Sequence, residues 1–456
     1  MRSGGAVVFL ICFCAAASTQ THESSLAEAM KKVQARDFRA AVAILRPLAQ
    51  QSPKDPEIWN LLGISESELN DAASARDAFE RGLKVAPNSV SLNENIGFLY
   101  YRQGDYAAAK RRLARAIALG SNKPGVAFSY AAAQARTGED SEALARLRQL
   151  ESQLSAEPEY WKERGRIELR VSPAEAGSSF DRALALAPDD TDALNGAASA
   201  SEAAKDDEKA LSFLVRARKA HPDDVPTLLH FGTLCLRRDL TVDARDALEH
   251  AYEIAPNNNL ALFLYARAQV AFQQWQRAHD LFTDFVGRVP KYAPAYYALG
   301  WVDVKLNRPD EARQHFDKSL SLDPSQLDVR CDLGQLDLDN GDLAAAEREL
   351  RAVLEKKPAH AKANLVLGDV LMRRGDLQQA MAHYEAAIAA DPSSGPAHYK
   401  LSTVLMRLHQ PERAEKERSL GAQLNAQAEK ASKVVLVLAD PDGRTLRDAG
   451  VWKGVE

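Results

Sequence analysis

Along residues 56–89, PEIWNLLGISESELNDAASARDAFERGLKVAPNS, apolar and small residues fall on two stretches separated by a polar turn. Trp59, Leu62 and Gly63 mark the first, Ala75 and Phe79 the second, and Pro87 closes the segment. Steps of three to four residues within a stretch predict one face of an amphipathic helix. The segment therefore predicts a helix A, a turn and a helix B.

The same frame recurs with a period of 34 residues. Glycine returns at position 8 as Gly97, Gly165, Gly232, Gly300, Gly334 and Gly368, where a small residue lets helix A touch helix B. Alanine returns at position 20 as Ala109, Ala143, Ala210, Ala244, Ala278, Ala312, Ala346, Ala380 and Ala414 and does the reciprocal job. Proline returns at position 32 as Pro188, Pro222, Pro256, Pro290, Pro324, Pro358 and Pro392, where it ends helix B for want of an N–H. The next residue (Asn88, Asp189, Asp223, Asn257, Ser325, Ser393) is expected to cap the following helix A. Gly104-Asp105, Gly138-Glu139, Gly341-Asp342 and Gly375-Asp376 form the turn inside a repeat, glycine supplying a left-handed backbone.

These positions closely resemble the tetratricopeptide repeat family; the departure in residues 56–89 is Glu66, where the family has tyrosine. Twelve repeats are expected, at 23–55, 56–89, 90–123, 124–157, 158–190, 191–224, 225–258, 259–292, 293–326, 327–360, 361–394 and 395–428. The resemblance implies an all-α, right-handed superhelical solenoid whose A helices line a groove through positions 2, 5, 9, 12 and 13. The family's carboxylate clamp is not matched: Asn95 stands at position 6 of repeat 3, but repeat 2 offers Asn60 and Ile64 and repeat 4 offers Gly125 and Ser129. A ladder of asparagines at position 6 is not matched either.

The array has soft-looking places. Repeat 4 ends on Ser155 instead of proline, and repeat 5 loses a residue at Ser172-Pro173 and carries Arg164 at the usually buried position 7. Repeat 6 offers only Leu194, Ala197, Ala198 and Ser201 as core, so residues 124–224 read as either a bend or a divergent but rigid stretch.

Composition narrows the function. The net charge of −5 excludes the strong basic excess of a nucleic-acid binder. The ten histidines form no metal motif, no phosphate-binding glycine loop is present, and His230 and His398 read as helix-surface residues. No cofactor or metal is expected, and with 28 residues after the last repeat the chain reads as a non-enzyme.

Arg2, the apolar run Ala6 to Ala17 and the small residues Ala15 and Ala17 have the layout of a signal peptide, residues 1–17, which places the mature chain in the periplasm or outside the cell. No other stretch is apolar enough to span a membrane. Cys235 and Cys331 then remain, three repeats apart, as unpaired thiols. Residues 429–456 fall outside the repeats; Val434 to Leu438 is a β-branched apolar run before the turn signal Asp440-Pro441-Asp442-Gly443.

Two sets of groove residues stand out. Position 13 is basic in repeats 3–5 (Arg102, Arg136, Arg170) and again as Arg237, Lys305, Arg373 and Arg407. Lys162, Arg166, Phe98, Tyr101 and Phe128 join the first three, a combination suited to an acidic, partly apolar peptide. The competing account is that a cation there serves the helix dipole. The second set is apolar: Leu229, Leu236, Phe263, Val270, Tyr297, Trp301 and Val304 at positions 5, 9 and 12 of repeats 7–9. That strip reads as a docking surface, as inter-helix packing, or as a seat for Val434 to Leu438. The function expected is an exported scaffold for polypeptide partners; the alternative is a glycan- or polymer-binding accessory of envelope or exopolysaccharide assembly.

Overall fold

The computed structural model describes residues 23–430; the expected signal peptide at 1–17 and the run at 434–438 lie outside them. Among the described residues every regular element is an α-helix. The described residues divide into two compact units, one ending at Arg216 and the other beginning at Ala217.

In the first compact unit the A helices are Pro56–Glu68, Val90–Arg102, Pro124–Arg136, Pro158–Val171 and Thr191–Ala203. In repeats 2–5 each lies against the helix B that follows it and against the helix A of the next repeat. The A helices so form one continuous inner face. In the second compact unit the A helices are Val225–Arg237, Asn259–Ala271, Ala293–Lys305, Leu327–Asp339, Ala361–Arg374 and Gly395–Arg407, each again against its own helix B.

The repeat signature has a steric basis. A Cβ on Gly63 would come within 2.5 Å of the Phe79 ring, on Gly232 within 2.4 Å of Leu248, and on Gly368 within 2.5 Å of Tyr384. Position 8 is thus glycine because position 24 fills its space. The alanines at position 20 from Ala75 to Ala380 are completely buried. The turn inside a repeat takes a positive φ at one fixed place, whether or not glycine occupies it: Gly104 at 76° and Gly375 at 90°, but also Asn70 at 61° and Asp239 at 60°. Such a φ costs a non-glycine residue roughly 1–2 kcal/mol, which the surrounding packing absorbs.

One expectation is corrected. The residue that caps helix A is the second after the proline, not the first. Ser89, Asp190, Asp224 and Asn258 accept from backbone N–H groups two or three residues on, because Asn88 and its equivalents are used up in the turn. Asn88 instead accepts from Arg115 at 2.7 Å.

Repeat 4 shows where its missing proline matters. Its helix B runs Asp140–Gln149, breaks at Leu150 and resumes as the single turn Glu151–Leu154. The break places Glu151 2.6 Å from Arg164, which also holds the fully buried Glu168 at 2.8 Å. Arg164 at position 7 is therefore the centre of a polar knot. Beside repeat 6, the small residues Gly177, Ala185, Ala200 and Ala204 line a cleft of about 520 Å³. Cys235 and Cys331 are free and buried, and burial pushes both thiols up to about 12, which keeps them protonated.

Candidate functional site: the inner face of the A helices

The basic set of repeats 3–5 is already neutralised within the chain. Arg102 lies 3.6 Å from Glu68 and donates to the Ser67 carbonyl at 3.3 Å. Arg136 makes a two-pronged pair with Glu163 at 2.9 and 3.2 Å, and Arg170 grips Asp140 at 2.6 and 2.9 Å. Arg166 bridges Glu163 at 3.4 Å and Asp192 at 3.0 Å. Burial works against charge on Arg136, but Glu163 outweighs it and holds the guanidinium above its ordinary value. Lys162 is buried, with Glu159 at 2.5 Å and Asp190 at 2.8 Å; these pairs raise its pKa against the opposing effect of burial. Phe98, Tyr101 and Phe128 are half-buried, and Tyr101 meets Tyr106 edge-on at 5.5 Å.

The apolar strip of repeats 7–9 is largely not a surface. Leu229, Leu236, Phe263, Val270 and Tyr297 are all buried, which corrects the expectation of an open strip across these positions. Phe263 is 2% exposed and lies among Phe282 at 5.7 Å, Phe285 at 5.0 Å and Tyr292 at 5.5 Å. The Tyr297 hydroxyl donates to Asp332 of the next repeat at 2.7 Å; burial, then the Asp332 charge, raises its pKa. Trp301 is half-buried, 5.7 Å from Trp275 and 4.8 Å below the Lys305 ammonium, and Val304 is 41% exposed.

Sequence reasoning missed the accessible residues at the end of the array. Tyr399 and Met406, at positions 5 and 12 of repeat 12, are each 58% exposed. In the same repeat and the two before it, Leu338, Asp339, Asp369, Met372, Arg373 and Lys400 help line a cleft of about 370 Å³. The signal was present in the helical spacing of Tyr399 and Met406, without the aromatic density that drew attention to repeats 7–9.

Two structural patterns also went unread. In some repeats position 11 carries a buried acid in place of the family tyrosine: Glu66 takes Arg46 at 2.9 Å, Asp337 takes Arg313, and Asp303 lies between His315 at 2.6 Å and His279 at 3.3 Å. Position 4 bonds back to the turn between repeats. His398, expected on the surface, is 4% exposed there, paired with Glu417 at 2.6 Å and 3.3 Å from the Pro392 carbonyl. Among the described residues no cluster of His, Cys, Asp and Glu is arranged to hold a metal, and no helix is long and apolar enough to cross a membrane.

Helix pairs of this length, with glycine against position 24 and alanine buried at position 20, define a class of helical-repeat proteins. Tetratricopeptide repeat families match residues 16–159, 293–326, 331–395 and 371–432. The chain is a tetratricopeptide repeat protein. Among curated proteins it is similar to human Protein O-mannosyl-transferase TMTC3, 23% identical over 40% of this chain and 22% of that protein. It is also similar to Protein FlbA of Caulobacter vibrioides, 28% identical over 36% of this chain and 28% of FlbA. The chain thus spans between a fifth and a third of these relatives' length. Among solved structures it is similar to the APC/C hetero-tetramer Cut9-Hcn1, at 13% identity and TM-score 0.47 over 94% of this chain and 96% of that one. A tetratricopeptide repeat protein from Parabacteroides merdae is 18% identical, with TM-score 0.46 over 57% of this chain and 98% of that one.

Proposed function

We propose that this chain is an exported, non-enzymatic scaffold that binds polypeptide segments on the inner face of its A helices. The observation that carries the reading is the accessible set left on that face of the second compact unit: Val304 at 41%, Tyr399 and Met406 at 58%. Aromatic residues and methionine are the types enriched in interface cores, and methionine adapts to varied partners. The family membership supports a binding role, and the likeness to the human mannosyl-transferase covers about a fifth of that protein, too little to carry its chemistry to this chain. Export rests on the pattern of Arg2, Ala6 to Ala17 and the small residues before Ser18. The test is a cellulose-bound array of peptides of varied charge and apolar content, probed with the purified full chain. Binding to a subset, lost on replacing Tyr399 and Met406 with serine, is expected. Indifference to every peptide would refute the scaffold reading, and an intact Met1 in the protein isolated from its natural host would refute export.

A further inference from the structure

The position-13 cations do not all have the same company. In repeats 3–5 Arg102, Arg136 and Arg170 each have a carboxylate within ion-pair distance. In repeats 11 and 12, among the described residues, Arg373 and Arg407 have none. Arg373 donates to the Leu338 carbonyl at 2.5 Å, and Arg407 lies 3.9 Å from the Met372 sulfur. Their neighbours do not alter this balance: Lys400 is paired with Asp369 and Arg374 with Glu347 at 2.6 Å. Asp339, at position 13 one repeat earlier, lines the same cleft as Arg373 and accepts from the neutral Gln335 at 2.8 Å, so one carboxylate stands against the two guanidinia. Two guanidinia without an ion pair among the described residues therefore lie at repeats 11 and 12, where Tyr399 and Met406 are each 58% exposed.

We infer that repeats 11 and 12 bind an acidic peptide segment that carries an apolar anchor, with Arg373 and Arg407 receiving its carboxylates and Tyr399, Met372 and Met406 its anchor. The inference rests on the scaffold reading and adds the place and the chemistry. Charge complementarity selects the acids. The exposed thioether and phenol beside the guanidinia select a peptide side chain over a bare anion.

Three fluorescein-labelled peptides test this with the full chain: one in which Asp and Glu flank Leu and Phe, the same peptide with Asn and Gln for the acids, and one with Lys. The acidic peptide should bind about tenfold tighter than the amide form at low salt, with the advantage shrinking as salt rises. Arg373→Glu with Arg407→Glu should abolish that preference, and Tyr399→Ser with Met406→Ser should weaken the acidic and amide peptides alike. Arg102→Glu with Arg136→Glu should leave the preference intact. Binding of the amide or Lys peptide with no preference for the acidic one would overturn the inference and leave the scaffold reading standing. So would an acidic preference that follows Arg102 and Arg136. If none of the three binds, the inference falls, and the scaffold reading falls with it only if the varied peptide array is also left unbound. A sedimentation mass that drops on the Tyr399 and Met406 substitutions would assign the face to a second copy and overturn the inference.

Discussion

The indole N–H of Trp59 donates to the carbonyl of Pro53, six residues back, at 2.9 Å. Trp161 does the same to Ser155 at 2.9 Å, Asn364 to Pro358 at 2.9 Å and Tyr296 to Pro290 at 3.3 Å. Position 4 of helix A thus ties down the turn that joins it to the preceding helix B. The bond gives a donor to a backbone carbonyl of the turn just beyond helix B.

Trp161→Phe separates the bond from the bulk of the ring. Trp161 is 3% exposed, so phenylalanine keeps most of the apolar burial and loses the donor. A loss of about 1–2 kcal/mol is expected, the usual effect of removing one partner of a buried hydrogen bond. Faster amide exchange at residues 155–160, without faster exchange in helix B of repeat 5, would locate the effect at the turn. Unchanged exchange there would show that the turn holds without the indole.

The fold was legible because its determinants are local. Gly63 and Phe79 sit on one helical hairpin, and their fit repeats in every frame that keeps the pair. The inner face was less legible because burial there is decided by a neighbouring repeat. Nothing in the frame of Tyr297 shows that Asp332 will take its hydroxyl. Arg136 finds Glu163, and Arg148 finds Glu175, each 27 residues on, a spacing that becomes meaningful only once adjacent hairpins are stacked. The accessible Tyr399 and Met406 were overlooked for the converse reason: their exposure reflects their place in the last repeat, not their type.

Phe263 and Trp301 should now behave differently. Phe263→Ala empties a site enclosed by Phe282, Phe285 and Tyr292 and should cost about 3–5 kcal/mol. Trp301 is half-buried against Trp275, and its replacement by alanine should cost clearly less. Urea midpoints of the two single variants check the order. Equal losses would mean that Trp301 belongs to the core as fully as Phe263.

Arg170 and Asp140 give a pH-dependent contribution with a defined sign. The hydrogen bonds from Arg170 pull the Asp140 carboxyl below its ordinary 3.8, against a smaller opposing effect of burial. A folded-state value below the unfolded one means stability that is present above pH 3.8 and lost as the pH falls through the lowered value. The pair is partly solvated, so the contribution is below about 1 kcal/mol. Arg170→Gln should lower the urea midpoint at pH 5 and have a smaller effect at pH 3. An equal shift at both pH values would assign the loss to packing of the arginine stem.

Two glycines in one repeat should respond to alanine with opposite signs. Gly177 lies inside the helix Pro173–Leu186, and a Cβ there would meet nothing within 4 Å. Alanine would add helix propensity at no steric cost, a gain of about 1 kcal/mol. Gly165 lies inside Pro158–Val171, and its Cβ would fall 2.8 Å from the Phe180 ring. That ring is fully buried and cannot retreat, because Gly196 of the next repeat faces it on another helix, where a Cβ would fall at 2.2 Å. Phe180 is therefore wedged between two glycines, and the same propensity gain at Gly165 is opposed by overpacking of about 1–3 kcal/mol. Thermal unfolding of Gly165→Ala, Gly177→Ala and Gly165→Ala with Phe180→Leu separates the terms. The first should melt lower than the parent and the second higher. The smaller side chain in the double variant should recover part of the loss seen with Gly165→Ala alone, even though Phe180→Leu by itself destabilises. If the two changes instead add, Phe180 has room to move, and the glycine at position 8 is not held there by the ring.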